Sequence, residues 1–148
     1  MADPVTKIIG RYFRRIFIWP IEAGFVFLLF FAARLLPVTI ASAVLSYFLG
    51  FIGPLTPWQS RARRNLSLAL PHLDHQAQTA ILKKMWDNLG RTAGEHPHLS
   101  KFDPYQENSR VEVVGAEYCD LLKSPDFSGL FFAGHIANWE IVPLAGTR

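Results

Sequence analysis

The feature that most constrains this chain is the run from Ile16 to Leu36, 21 residues in which only Glu22 and Arg34 carry charge. As a helix rising about 1.5 Å per residue, it is roughly 30 Å long, the thickness of a bilayer's hydrocarbon core. Its centre holds Phe25, Phe27, Leu28, Leu29, Phe30 and Phe31, so apolar side chains cover every face. A helix that is apolar all round needs protein or lipid around it. A secretory signal is the competing reading, but its apolar region is shorter and a small-residue cleavage site is missing before Pro37. The sequence predicts a retained membrane anchor.

The flanks bear on topology. Lys7, Arg11, Arg14 and Arg15 precede the run, and Arg61, Arg63 and Arg64 follow a second apolar run, Val38 to Ile52. Both basic clusters favour the cytoplasmic side, which a single span cannot satisfy. A hairpin can, and so can an anchor that enters the bilayer without crossing it. Pro20 and Pro37 bracket the first run, while Gly50, Gly53, Pro54 and Pro57 break the second. Arg61, Arg63 and Arg64 fit either a solvated helix start or contact with lipid phosphates.

Residues 1–66 hold eight basic and two acidic residues, a net of +6, whereas residues 67–148 hold seven basic and ten acidic, a net of −3. The basic half is also the apolar half, which points to a membrane surface. Nucleic acid is disfavoured, because no basic–aromatic interleaving or reading motif is present. A single cysteine, Cys119, excludes an intrachain disulfide and a cysteine zinc cage. These patterns divide the chain into a basic N-terminus with its anchor, 1–57, and the first part of a second domain, 58–148.

That second part reads as the beginning of an α/β domain. Asp74 is placed to cap a helix in which Ala77, Ile81, Met85 and Leu89 recur every four residues, with Leu82 and Trp86 beside them. Gly90 and Gly94 weaken its end, and His96-Pro97-His98 marks a turn. The pairs His72/His75 and His96/His98 lack the Asp, Glu or Cys that would complete a metal site, so they read as loop histidines. Arg110 to Val114 alternates as a short strand closed by Gly115. Ala116 to Lys123 fits two helical turns with Tyr118, Leu121 and Leu122 on the apolar side, and Ser124-Pro125-Asp126 is a turn. Gly129 to Ala133 is a continuous apolar run of the kind buried on both faces of a sheet. The 14 residues between the two strands allow a crossover to a parallel neighbour.

One constellation carries chemistry. Directly after the second strand comes Gly134-His135-Ile136-Ala137-Asn138-Trp139-Glu140, with Asn138 placed to cap a new helix and Glu140 in its first turn. His135 then lies at the carboxyl end of a strand, where open α/β sheets bind ligands. Glu140, five positions on, is able to reach the imidazole and fix its tautomer, leaving the other ring nitrogen to take a proton. Spacing alone also fits a plain cap, a first-turn acid and a loop histidine.

The segment GHIANWE resembles the active-site motif His-Phe-Gly-Asn-Trp-Glu of the bacterial lipid A late acyltransferases, the lauroyl/myristoyl acyltransferase family. It matches at His135, Asn138, Trp139 and Glu140, with Ile136 and Ala137 in place of the usual Phe and Gly. Softer matches are Arg64 to Pro71 after the anchor, Gly90-Arg91 with Glu95, and Gly115-Ala116-Glu117, so the likeness covers about 16–148.

The resemblance implies a glycerolphosphate-acyltransferase-like α/β domain at the cytoplasmic face of the bacterial inner membrane. It implies acyl carrier protein as donor and partner, a lipid A precursor as acceptor, and no cofactor or metal. His135 and Glu140 are the implied catalytic pair, with His135 as general base. Cys119 receives no role, and no substrate-binding residue is assigned. Members of that family are considerably longer, so the chain is expected to be an N-terminal fragment, inactive on its own, whose two short strands cannot form a stable sheet. Two alternatives stand beside this reading. One is a lysophospholipid or glycolipid acyltransferase, and the other is a non-catalytic membrane-anchored interaction domain.

Overall fold

The computed structural model describes residues 11–130, 132–134 and 136–146. A π-helical turn, Arg14–Ile18, leads into α1 (Trp19–Leu35). Pro20 lies where the π turn passes into α1, within helical backbone that runs from Arg11 to Leu35, and having no N–H it cannot donate to the preceding turn. Leu36 precedes Pro37 and is driven out of the helical region to φ −89°, ψ 153°, which ends α1. Pro37 then leads into α2 (Val38–Ile52). The segments Arg11–Leu35, of 25 residues, and Val38–Leu55, of 18, are each long and apolar enough to cross a membrane by length and composition.

A 3-10 turn, Gly53–Leu55, and an extended Thr56 connect α2 to α3 (Pro57–Ala69). Next comes α4 (His75–Glu95), whose N-cap is Asp74 as the sequence predicts: its Oδ1 accepts from the Ala77 N–H at 2.7 Å. A 3-10 turn, His96–Lys101, follows directly. Further on lie the short α5 (Ala116–Asp120), its 3-10 continuation Leu121–Lys123, and a 3-10 segment, Trp139–Gly146.

The core is the contact between α2 and α4. Gln78, Leu82, Trp86, Gly90 and Gly94 form the buried stripe of α4, and Val38, Ala41, Ser42 and Ser46 that of α2. The stripe of α4 lies one residue beyond the predicted one, and Ile81 and Leu89 stay partly exposed. Gly90 and Gly94 explain the rotation. A Cβ on Gly90 would lie 2.7 Å from the Ser46 backbone nitrogen, and one on Gly94 would lie 2.7 Å from Ser42 Cα. Glycines that weaken a helix by propensity here admit a second helix backbone, as small residues four apart do between packed helices.

The expected α/β class is not what the chain adopts. Among the described residues there is no strand; the regular structure is helical. Arg110–Val114 has no ladder partner, and Val114 is 90% exposed. In the run Gly129 to Ala133, expected to be buried on both faces, Leu130 and Phe132 are 80% and 89% exposed, while Phe131 lies outside the described residues. Short runs of this kind form strands only when a ladder satisfies their backbone, and two alone are marginal. The helices predicted after Gly115 do form; Gly115 takes the left-handed conformation at φ 82° that glycine tolerates.

The end of α1 is tied to the turn after α4. Ala33, the buried residue of α1, offers its carbonyl to His98 Nε2–H at 3.0 Å, and Arg34 donates to the Pro97 carbonyl at 2.8 Å. His98 thereby satisfies a carbonyl of the last turn of α1, and Arg34, in that same turn, reaches out to a carbonyl of the turn after α4. His98, read from sequence as a loop histidine, is 1% exposed and works as a structural cap.

Candidate active site

Of the motif, the described residues are Gly134, Ile136, Ala137, Asn138, Trp139 and Glu140; His135 lies outside them. The predicted start of a helix at Asn138 is close to what forms, since the 3-10 segment begins at Trp139 and the Ile141 N–H donates to the Asn138 carbonyl at 3.2 Å. Glu140 is thereby in the first turn, half-buried, where a carboxylate suits the helix dipole.

Asn138 does something other than capping. Its Nδ2 donates at 3.0 Å to Oε2 of Glu95, the last residue of α4. The other Glu95 oxygen, Oε1, accepts from Ser42 Oγ on α2, also at 3.0 Å. A carboxylate in this place fixes the amide orientation, because the reversed amide would set oxygen against oxygen. Asn138 Oδ1 is buried and has no hydrogen-bond partner among the described residues. Just before it, Ala137 has φ 49°, a left-handed conformation costly for any residue with a Cβ. Glycine, the residue of the motif that this segment resembles, takes that conformation without the penalty.

Around this cluster the charged groups are paired at the surface. Asp87 accepts from Ser46 Oγ and is bridged to Arg91 at 3.1 Å, both side chains about half exposed. The Ser46 hydroxyl first, and then Arg91, hold the Asp87 carboxyl below its usual range against a smaller opposing effect of burial. On α3 the three arginines part company. Arg61 stacks over the Trp58 ring at 4.6 Å, Arg63 donates to Thr79 Oγ1 on α4 at 3.2 Å, and Arg64 is exposed. A groove of about 400 Å³ between α3 and α4 is lined by Trp58, Arg61, Met85, Trp86 and Leu89. Cys119 is a free, half-buried thiol on α5.

Glu95 enters the family resemblance only beside Gly90-Arg91, with no role attached, and Ser42 belongs to no motif. The available signal was electrostatic: an acid in the last turn of a helix opposes the dipole and so needs donors nearby.

The family model for bacterial lipid A biosynthesis acyltransferases matches residues 11–145, which takes in both apolar helices, the α2–α4 core and the whole motif. The chain belongs to that family. It is an acyltransferase of lipid A biosynthesis, and a lipid A precursor is its substrate. No curated protein and no solved structure matches the chain.

Proposed function

We propose that this lipid A acyltransferase takes its acyl chain from acyl carrier protein, with His135 as general base and Glu140 as the carboxylate that orients it. The observation that carries this reading is the register of Glu140. It lies in the first turn of a helical segment that starts directly after Asn138, five positions beyond His135. In this mechanism the imidazole takes the proton of the acceptor hydroxyl as its oxygen attacks the thioester carbonyl. The tetrahedral intermediate collapses with loss of the carrier thiolate, and the imidazolium returns the proton to that sulfur. The Glu140 carboxylate offsets the imidazolium charge between the two steps. Cys119 takes no part, and no acyl-enzyme forms.

The same proposal places the protein at the bacterial inner membrane with its site facing the cytoplasm. The apolar, largely exposed segment Arg11–Leu35, with Arg11, Arg14 and Arg15 at one end, supports an anchor that enters the bilayer, while α2 lies against the polar helix α4 along its length. Exposed Trp58, directly after the second apolar segment, suits a headgroup-level position.

The test is acyl transfer by the complete gene product in membranes, with acyl carrier protein thioester as donor. Activity should fall by about 1,000-fold or more in His135→Ala and about 100-fold in Glu140→Ala, and stay near wild type in Cys119→Ser. Full activity in His135→Ala would remove the proposed mechanism.

A further inference from the structure

We propose that Glu95 is a positioning residue, which clamps Asn138, a residue between His135 and Glu140 in the chain, and so fixes the turn that carries Glu140. This rests on the reading that His135 and Glu140 perform the chemistry.

Three observations carry it. First, Glu95 stands at the carboxyl end of α4, where the dipole disfavours an acid, and it is accommodated there by two donors, Ser42 Oγ and Asn138 Nδ2. Ser42 is 6% exposed, so solvent competes little for its hydroxyl. Second, the base of the clamp is rigid. Gly94, the residue before Glu95, lies so close to α2 that even a methyl group would overlap Ser42 Cα. The end of α4 therefore has no room to slide on its neighbour. Third, Ala137 holds a left-handed backbone at φ 49° although it is not glycine. Strain of that kind persists where neighbouring contacts over-determine it, and the next residue is the one Glu95 grips. From Asn138 the constraint passes onward through its carbonyl, which accepts from Ile141 N–H in the turn that contains Glu140.

The clamp is an amide facing a carboxylate, so the two groups are exchangeable. In Asn138→Asp alone, two carboxylates face each other. Acyl transfer should fall by about 10- to 100-fold, the scale of a lost hydrogen bond to a charged group. In Glu95→Gln alone, the oxygen of the new amide still accepts from Asn138, and its NH2 donates to the Ser42 hydroxyl, which is able to accept. Activity should fall by no more than about threefold, whereas Glu95→Ala should resemble Asn138→Asp. In the double variant Glu95→Gln/Asn138→Asp, the amide introduced on α4 donates to the carboxylate introduced in the motif. Activity should then recover to within about fivefold of wild type.

The experiment measures kcat and KM for the acyl donor on complete protein in membranes, with thermal stability recorded for each variant. The expected loss lies in kcat at unchanged KM, with the double variant restored. A double variant no more active than Asn138→Asp overturns the clamp, because it shows that Asn138 does not act through Glu95. Losses confined to the amount of folded protein, at wild-type kcat, overturn it too. His135→Ala in the same membranes separates the two proposals. If it is inactive while the exchange shows no coupling, the clamp alone fails. If it is active, the general-base mechanism fails and the clamp has no catalytic loop to position.

Discussion

Gly94→Ala tests the core and the site together. In an unconstrained helix this change stabilises, because alanine exceeds glycine by about 0.8–1 kcal/mol in helix propensity. Here the added Cβ would lie 2.7 Å from Ser42 Cα, a backbone atom that no side-chain rotation moves. Ordinary contact needs about 3.5–4.0 Å, so α2 and α4 must part by roughly 1 Å. Overpacking of that order costs about 1–3 kcal/mol, and it exceeds the propensity gain. The expected net change is a destabilisation of up to about 2 kcal/mol. Because Glu95 follows directly, parting the helices also stretches its 3.0 Å bond from Ser42, so activity should fall more than stability. Gly50→Ala is the control: it lies on α2 with nothing within 4 Å of a new Cβ, and it should stabilise by about 0.5–1 kcal/mol. The assay is thermal unfolding in detergent beside acyl transfer in membranes. Gly94→Ala behaving like Gly50→Ala would refute the close α2–α4 contact.

Other consequences follow from single residues. Ala137→Gly relieves the left-handed backbone at φ 49° and should raise stability by up to about 1 kcal/mol, read as a higher melting temperature with activity retained. His98→Ala removes a 1% exposed side chain and its bond to the Ala33 carbonyl; a loss of about 2–4 kcal/mol in unfolding free energy is expected. Trp86→Phe leaves Gln59 Oε1 without its donor and should cost about 1 kcal/mol in the same measurement. Asp87 is held below its usual range, so its contribution is present above about pH 4 and is lost as pH falls through the lowered value. Asp87→Asn should flatten the acid limb of the stability curve below about pH 4, and an unchanged limb would contradict the Ser46 and Arg91 contacts.

The helical half was legible because its signals are local. Pro37 ends one helix by sterics on the preceding residue, Asp74 caps another, and the second apolar run coincides with α2, Val38–Ile52. The buried stripe of α4 was misplaced by one position because hydropathy assigns core positions to large side chains, while this contact selects Gly90 and Gly94. The strands failed for the converse reason. A short apolar run specifies a strand only through partners, and neither Arg110–Val114 nor Gly129–Ala133 finds a ladder among the described residues. At the site, the helical start after Asn138 was readable from the motif, but the Asn138–Glu95 bond joins residues 43 positions apart and no local pattern encodes it.

The most direct measurement is the mass spectrum of lipid A from cells whose copy of this gene carries His135→Ala. Loss of one secondary acyl chain with accumulation of the acceptor precursor is expected, and the mass difference gives the length of the transferred chain. Lipid A identical to that of wild-type cells would contradict His135 as the base that activates the acceptor hydroxyl.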